Sequence, residues 1–368
     1  MKDNERHYFP GNNTPGGFFS YYDNILNPKA AKKIWYLKGG PGTGKSTLIK
    51  QIGENFLSEG KDVDFLHCSA DKDSLDGVVL RNEGVAVVDG TAPHVLDPVY
   101  PGAVDRIVNL GQYWNEEGIS GNRQRIIQII QEKKADFARA YNYLAAAEKM
   151  YDNLQYIPGR LTSIRAARRM AEEIIRDGAS NIRDTEGEGG VRRLFACAVT
   201  PQGLVDFTHR IIGKCKKVYL IKTDPGSGCE MVLSRILENI TDRGFDAEAF
   251  YCSMKPHRKI DHLLVPGLSF AVITSNKFHN FVPEEGSKEV ISIEFQRIQS
   301  EATDGCAAAM EELIAGAVRC LGEAKSKHDE LEDIYTPNMD FEKIEELRKQ
   351  IENEIREEGK VPMALAVK

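Results

Sequence analysis

The chain has no long apolar run, no paired cysteines and no surplus of positive charge, and each absence removes a class of function. None of its 368 residues falls in an uncharged stretch near the ~20 apolar residues that a membrane-spanning helix needs. The opening MKDNERHYFP carries no apolar core of a secretory signal. Seven cysteines, at 68, 197, 215, 229, 252, 306 and 320, form no C-x-x-C pair. This pattern argues against a zinc site and a disulfide framework, and for free thiols in a reducing compartment. Lys and Arg number 48 against 55 Asp and Glu, a net charge of −7, so no global field draws the chain to nucleic acid or to an anionic membrane. The expectation is a cytoplasmic protein with no membrane partner and no clear nucleic-acid signal. With 41% hydrophobic and 28% charged residues, the chain has the composition of a globular protein long enough for two domains.

What is present is concentrated in one stretch: Gly39, Gly40, Pro41, Gly42, Thr43, Gly44, Lys45, Ser46 and Thr47. It fits G-x-x-x-x-G-K-[ST], follows the strand-like Ile34, Trp35, Tyr36 and Leu37, and precedes Leu48, Ile49, Ile52 and Phe56 at helical spacing. Glycines allow backbone angles that turn successive N–H groups around phosphate oxygens, and the following helix adds its positive end. Lys45 is placed to reach the β- and γ-phosphates, and the Ser46 hydroxyl to join the shell of a Mg²⁺ ion.

The chain also contains a damaged copy of this loop. Thr223, Asp224, Pro225, Gly226, Ser227, Gly228, Cys229 and Glu230 follow the strand-like Val218, Tyr219, Leu220 and Ile221. The match extends beyond the loop, pairing Gly60 with Gly244, Cys68 with Cys252, Ser69 with Ser253 and, after a one-residue drift, His94 with His279. A helical hairpin follows each core, broken at Pro158 and Gly159 in the first half and at Pro337 and Asn338 in the second. The division falls at residues 1–190 and 191–368, with 184–190 as linker. Strand and helix alternate in each half, with strands in the first at 63–68, 85–89 and 105–110, the signature of a parallel sheet covered by helices. In the copy Cys229 replaces Lys45 and Glu230 replaces Ser46, so the second site reads as degenerate. The alternatives there are that its remaining N–H groups bind another ligand and that Cys229, at a helix N-terminus, has a lowered pKa.

Val85, Ala86, Val87 and Val88 end on Asp89, an acid at the tip of a buried strand that would order Mg²⁺. Its counterpart in the second half is Thr274. Asp71, Asp73 and Asp76 follow the strand ending at Cys68, where a substrate hydroxyl could be oriented or deprotonated. Arg160, Arg165, Arg168 and Arg169 on the first hairpin could swing over the nucleotide, or could solvate a helix face. Tyr8, Phe18, Phe19, Tyr21 and Tyr22 could stack on a base, or simply pack. Asn276, Lys277, Phe278 and His279 put histidine where guanine recognition requires aspartate, which favours ATP.

The loop with Val85 to Asp89 beyond it resembles the P-loop NTPase superfamily, and the layout of the whole chain resembles an uncharacterised bacterial family of tandem P-loop ATPases. The resemblance implies an α/β fold of two tandem P-loop NTPase-like three-layer domains, each with a helical hairpin. It implies phosphate binding by residues 39–47, magnesium held by Ser46 and Asp89, and charge stabilisation by Lys45. The functions open at this point are an ATPase or ATP-driven switch with ATP and Mg²⁺ at the first site, a small-molecule or nucleotide kinase using Asp71, Asp73 or Asp76, and a nucleotide sensor without turnover.

Overall fold

The computed structural model describes residues 4–26, 31–92, 96–156, 164–179, 182–283, 288–295 and 300–360. The first half contains β1 (Glu5–Tyr8), the hairpin β2 (Gly11–Thr14) and β3 (Gly17–Ser20), β4 (Lys33–Lys38), α1 (Lys45–Ser58), β5 (Val63–Cys68), β6 (Asp71–Leu80), β7 (Val85–Asp89), β8 (Asp105–Asn109), the short α2 (Glu116–Ser120), α3 (Arg123–Asn153) and α4 (Ile164–Ala179). The second contains β9 (Val191–Leu194), the hairpin β10 (Cys197–Thr200) and β11 (Gly203–Asp206), the short α5 (Thr208–Ile211), β12 (Lys217–Lys222), α6 (Glu230–Asp242), β13 (Ala247–Tyr251), β14 (Ile260–Val265), β15 (Phe270–Ser275), β16 (Glu289–Glu294), α7 (Glu301–Tyr335) and α8 (Phe341–Lys360).

Two six-stranded sheets share one strand order, β1-β5-β6-β7-β4-β8 and β9-β13-β14-β15-β12-β16. The loops that follow β4 and β12 therefore leave from the same place in each sheet. Neither sheet is wholly parallel. β6 runs antiparallel to β5 and β7, and β14 antiparallel to β13 and β15, while the other pairs are parallel. The strands read at 63–68, 85–89 and near 105–110 are present. The sequence reading missed β6 because its first half, Asp71 to Ser74, is polar, and missed β1 because its Arg6 is buried as an ion rather than as a hydrophobe.

Alternation along the central strands explains how each sheet is covered. Trp35 and Leu37 of β4 and Val85 and Val87 of β7 face a core shared with Leu48, Ile49, Ile52 and Phe56 of α1. Ile34, Tyr36, Ala86 and Val88 point the other way and join Val218, Leu220, Ala271 and Ile273 of the second sheet in one common core. Helices thus cover one face of each sheet, and the opposite faces contribute to a single interior. The expected three-layer units, with helices on both faces, are not what forms among the described residues.

The halves also exchange helices. α8, the last element of the chain, places Ile344, Leu347, Ile351 and Ile355 in the core of the first sheet. α4, from the first half, places Ala167, Ala171 and Ile174 in the core of the second. Between them α3 and α7 pack along each other antiparallel, with Arg125 reaching Glu330 and Tyr143 lying against Gly316. Among their buried positions, 140, 144, 147 and 151 on α3 and 310, 314, 317, 321 and 324 on α7 follow the alternating four-three spacing of a coiled-coil seam. We refer to this pair as the stalk. The breaks expected at Pro337 and Asn338 fall in a single 3₁₀ turn between α7 and α8. Pro158 and Gly159 lie outside the described residues.

The sheets meet at their edge strands. Phe9 and Phe195 exchange two backbone hydrogen bonds, at 2.9 and 3.0 Å. Arg6 of β1 binds Asp64 and Glu248 at 2.8 and 2.6 Å, and Arg192 of β9 binds the same two acids at 3.2 and 2.9 Å. Burial alone would push the Asp64 carboxyl up, but Arg6, Arg81 and Arg192 overcome that and hold it well below the ordinary range. The segment expected to be a linker is tied down, with the Thr185 and Gly189 amides bonded to Arg243 and Thr241 carbonyls and Asp184 paired with Arg243. Among the described residues no helix is long and apolar enough to cross a membrane.

Candidate functional site

β4 emerges between β7 and β8, and the chain turns sharply before entering α1. Gly42 and Gly44 make the turn with φ of +65° and +82°, in the left-handed region that costs glycine little. Gly39 is required for a different reason, since a Cβ there would lie 2.7 Å from Thr43 Oγ1. The Thr43 hydroxyl donates to the Gly40 carbonyl at 2.9 Å and braces the loop from within. No side chain caps the N-terminus of α1, so its first amides keep their capacity for an anion.

Lys45 folds back over the loop, donating to the carbonyls of Gly39 at 3.0 Å and Gly40 at 2.7 Å, and stands 3.7 Å from Asp89 Oδ2. Asp89 ends β7 as expected. Its burial pushes the carboxyl up, Lys45 pulls it back, and the neighbouring Asp76 pushes it up further. The Thr91 amide donates to Asp89 Oδ1 at 2.8 Å, and the Thr91 hydroxyl donates to the same oxygen. Ser46 Oγ accepts from the Leu75 amide at 2.8 Å, which ties the start of α1 to β6.

The three acids of β6 separate. Asp76 is buried and lies one step beyond the Gly77–Val88 pair, opposite Asp89. The Tyr22 hydroxyl donates to it at 2.8 Å. Asp71 pairs with Lys325 of the stalk at 3.2 Å and accepts from Ser74. Asp73 is exposed and paired with Lys72. Asp71 and Asp73 are taken up by lysines, and Asp76 is the acid set beside Asp89, next to the Leu75 amide that holds Ser46. The signal for this was the four-residue connection 81–84, which makes β6 and β7 a hairpin and sets residue 76 against residue 89.

Other expected residues find structural work. Arg165, Arg168 and Arg169 are exposed on α4, which packs on the second sheet, so they do not overhang the first loop; Arg160 lies outside the described residues. Tyr8 donates to Asp64, Tyr21 to the Pro256 carbonyl, Phe19 packs against Tyr21, Phe195 and His257, and Phe18 packs on the shared core. These aromatics are packing groups. His94 lies outside the described residues. Its partner His279 is buried 3.1 Å from Asp261, which raises its pKa against the cost of burial.

What sequence reasoning missed is the roof over the loop. The end of α7 and the turn after it come from the other half and rest directly on the glycines. A Cβ on Gly40 would lie 2.8 Å from the Tyr335 ring, on Gly42 2.6 Å from Thr336 Oγ1 and 3.1 Å from Glu332 Cα, and on Gly44 3.3 Å from Phe341. The second loop has the same kind of cover, since a Cβ on Gly226 would lie 2.7 Å from Leu154, at the end of α3.

The second loop keeps the turn, with Gly226 and Gly228 at +74° and +83°. It lacks the chemistry. Cys229 is buried, and burial pushes its thiol well up, the opposite of an activated cysteine. Thr274, in place of Asp89, donates to the Asp261 carbonyl at 2.9 Å. Asn276 accepts the amides of Phe278 and His279 within its own turn. Among the described residues no group of three or more His, Cys, Asp or Glu has the arrangement of a metal site. A Mg²⁺ ion arriving with phosphates needs less from the protein, and a hydroxyl and a half-buried carboxylate beside the loop, Ser46 and Asp89, suit it. No protein-family model, no curated protein and no solved structure matches this chain.

Proposed function

We propose that this protein binds ATP·Mg²⁺ at residues 39–47 and uses it in hydrolysis or in an ATP-driven change of shape, with one such site per chain. The observation that carries the reading is the convergence of Lys45 and Asp89, 3.7 Å apart, on a glycine turn that opens an uncapped helix, in a chain whose second copy of that turn has lost both residues. Lys45 would leave its own loop carbonyls for the β- and γ-phosphates, and Ser46 and Asp89 would hold Mg²⁺, which neutralises the charge that develops on the transferred group. The shared strand order of the two sheets supports two P-loop-like halves derived from one unit, the second kept for its surfaces. A switch is favoured over a kinase. Asp71 and Asp73 are paired with Lys325 and Lys72, and Asp76 accepts from the Tyr22 hydroxyl, whereas α7 and α8 of the other half touch the loop and are placed to feel its occupant.

The test is phosphate release by purified protein with ATP and Mg²⁺, with and without a panel of nucleosides, nucleotides and sugars. Release or ATP-dependent protection of the stalk from protease, independent of any acceptor, is the expected result. ADP formed only with an acceptor would replace the switch by a kinase.

A further inference from the structure

We infer that the stalk completes the phosphate site: Glu332 occupies the mouth of the loop as an internal stand-in for a phosphate, and the triphosphate displaces it and takes over the donors behind it, His328 and Lys133. The inference rests on the reading of residues 39–47 as a triphosphate loop. Glu332 belongs to α7, and its Cα and carbonyl oxygen come within 3.1 Å of where a Cβ on Gly42 would stand. Thr336, one turn further, donates to the Gly42 carbonyl at 3.4 Å. The Glu332 carboxylate is held below its ordinary range chiefly by His328, with Lys325 and the Gly42 amide adding to the effect. Glu332 thus sets an anionic side chain on the residue whose backbone packs against the phosphate turn.

Behind that anion runs a short chain of groups. His328 Nε2 lies 3.5 Å from Glu332 Oε1, and His328 Nδ1 lies 3.3 Å from Lys133 Nζ on α3. A neutral imidazole satisfies both contacts in one tautomer, donating from Nε2 and accepting at Nδ1. Lys133 is half-buried and has no carboxylate within ion-pair distance among the described residues; burial lowers its pKa. A desolvated lysine whose hydrogen-bond partner is an imidazole has only the more distant Glu332 carboxylate as its anion. A γ-phosphate replacing the Glu332 carboxylate brings more negative charge to this chain of donors than the single carboxylate it displaces, and α7 must shift to admit it. This links occupancy of the first half to movement of a helix from the second.

The experiment measures ATP and ADP affinities with Mg²⁺ by calorimetry on the full chain. Glu332→Gln removes the competing charge and is expected to tighten ATP binding about tenfold, the scale of one carboxylate opposing a phosphate near the surface. Lys133→Met is expected to weaken ATP about tenfold and ADP less than about twofold, because ADP lacks the γ-phosphate. Glu332 is partly exposed, so its amide variant keeps the fold, and a thermal melt verifies this. ATP affinity unchanged or weakened in Glu332→Gln, or an unchanged ATP to ADP ratio in Lys133→Met, overturns this inference while leaving the loop assignment in place. Failure of the wild-type chain to bind ATP overturns both.

Discussion

Replacing Ile355 by alanine tests the exchange of helices between the halves. Ile355 is the last buried apolar residue of α8, fully buried against a core that includes Trp35, Ile52 and Phe56, all from the first half. Truncating a buried isoleucine in a packed core removes its transfer energy and leaves a cavity, about 3 kcal/mol in all. The loss is expected in the first sheet, some 300 residues away along the chain, and Trp35 reports on it. That indole is buried and donates to Glu354, the residue next to Ile355, at 3.3 Å. In urea unfolding followed by tryptophan fluorescence, Ile355→Ala should lower the midpoint, and bound ATP should restore part of the loss by mass action. Ile174→Ala on α4 is the matched control and should strike the second sheet instead. A midpoint unchanged by Ile355→Ala, within about 0.5 kcal/mol, would show that α8 does not cover the first sheet and would refute the exchange.

The remaining predictions concern acid sensitivity and the loop. Burial holds His67 down to about 4 and His262 also well below its ordinary value, so the unfolded chain takes up protons from about pH 6.5 downward while the fold does not. Stability is therefore expected to fall as pH drops from about 6.5 to 4, and to fall further below about 4 as the unfolded Asp64 protonates before the folded one. A urea midpoint flat from pH 7 to 4 would contradict this. Asp64→Asn leaves Arg6 and Arg192 short of a charge and should cost about 3–5 kcal/mol at pH 7, read by the same unfolding curve. Gly42→Ala forces a side chain into the left-handed region at about 1–2 kcal/mol and into Thr336, so ATP affinity should fall, by calorimetry, about tenfold or more. Asp89→Asn should abolish the gain in ATP affinity on adding Mg²⁺; a preserved gain would remove Asp89 from the metal site.

The parts of this structure legible in the sequence are those with local signatures. β4, the glycine turn and α1 follow from an apolar run, two glycines in the left-handed region and a helical period. The repeat was readable because matching residues sit in matching places, and the two sheets share their strand order. The exchange of α4 and α8 was not readable. The spacing of Ile344, Ile351 and Ile355 shows that a helix buries one face, but says nothing about which sheet receives it. Three acids within six residues, at 71, 73 and 76, gave no sign of which one turns inward until the β6–β7 register was known. Arg6 and Glu332 show the same limit. One is buried only because acids from both halves meet it, and the other reaches the loop only because its helix crosses over.

The measurement that bears most directly on the account is calorimetric titration of the full chain with ATP and Mg²⁺, wild type beside Lys45→Ala. The account predicts one ATP per wild-type chain and no measurable binding after loss of Lys45. Two ATP molecules per chain, or binding that survives in Lys45→Ala, would contradict it.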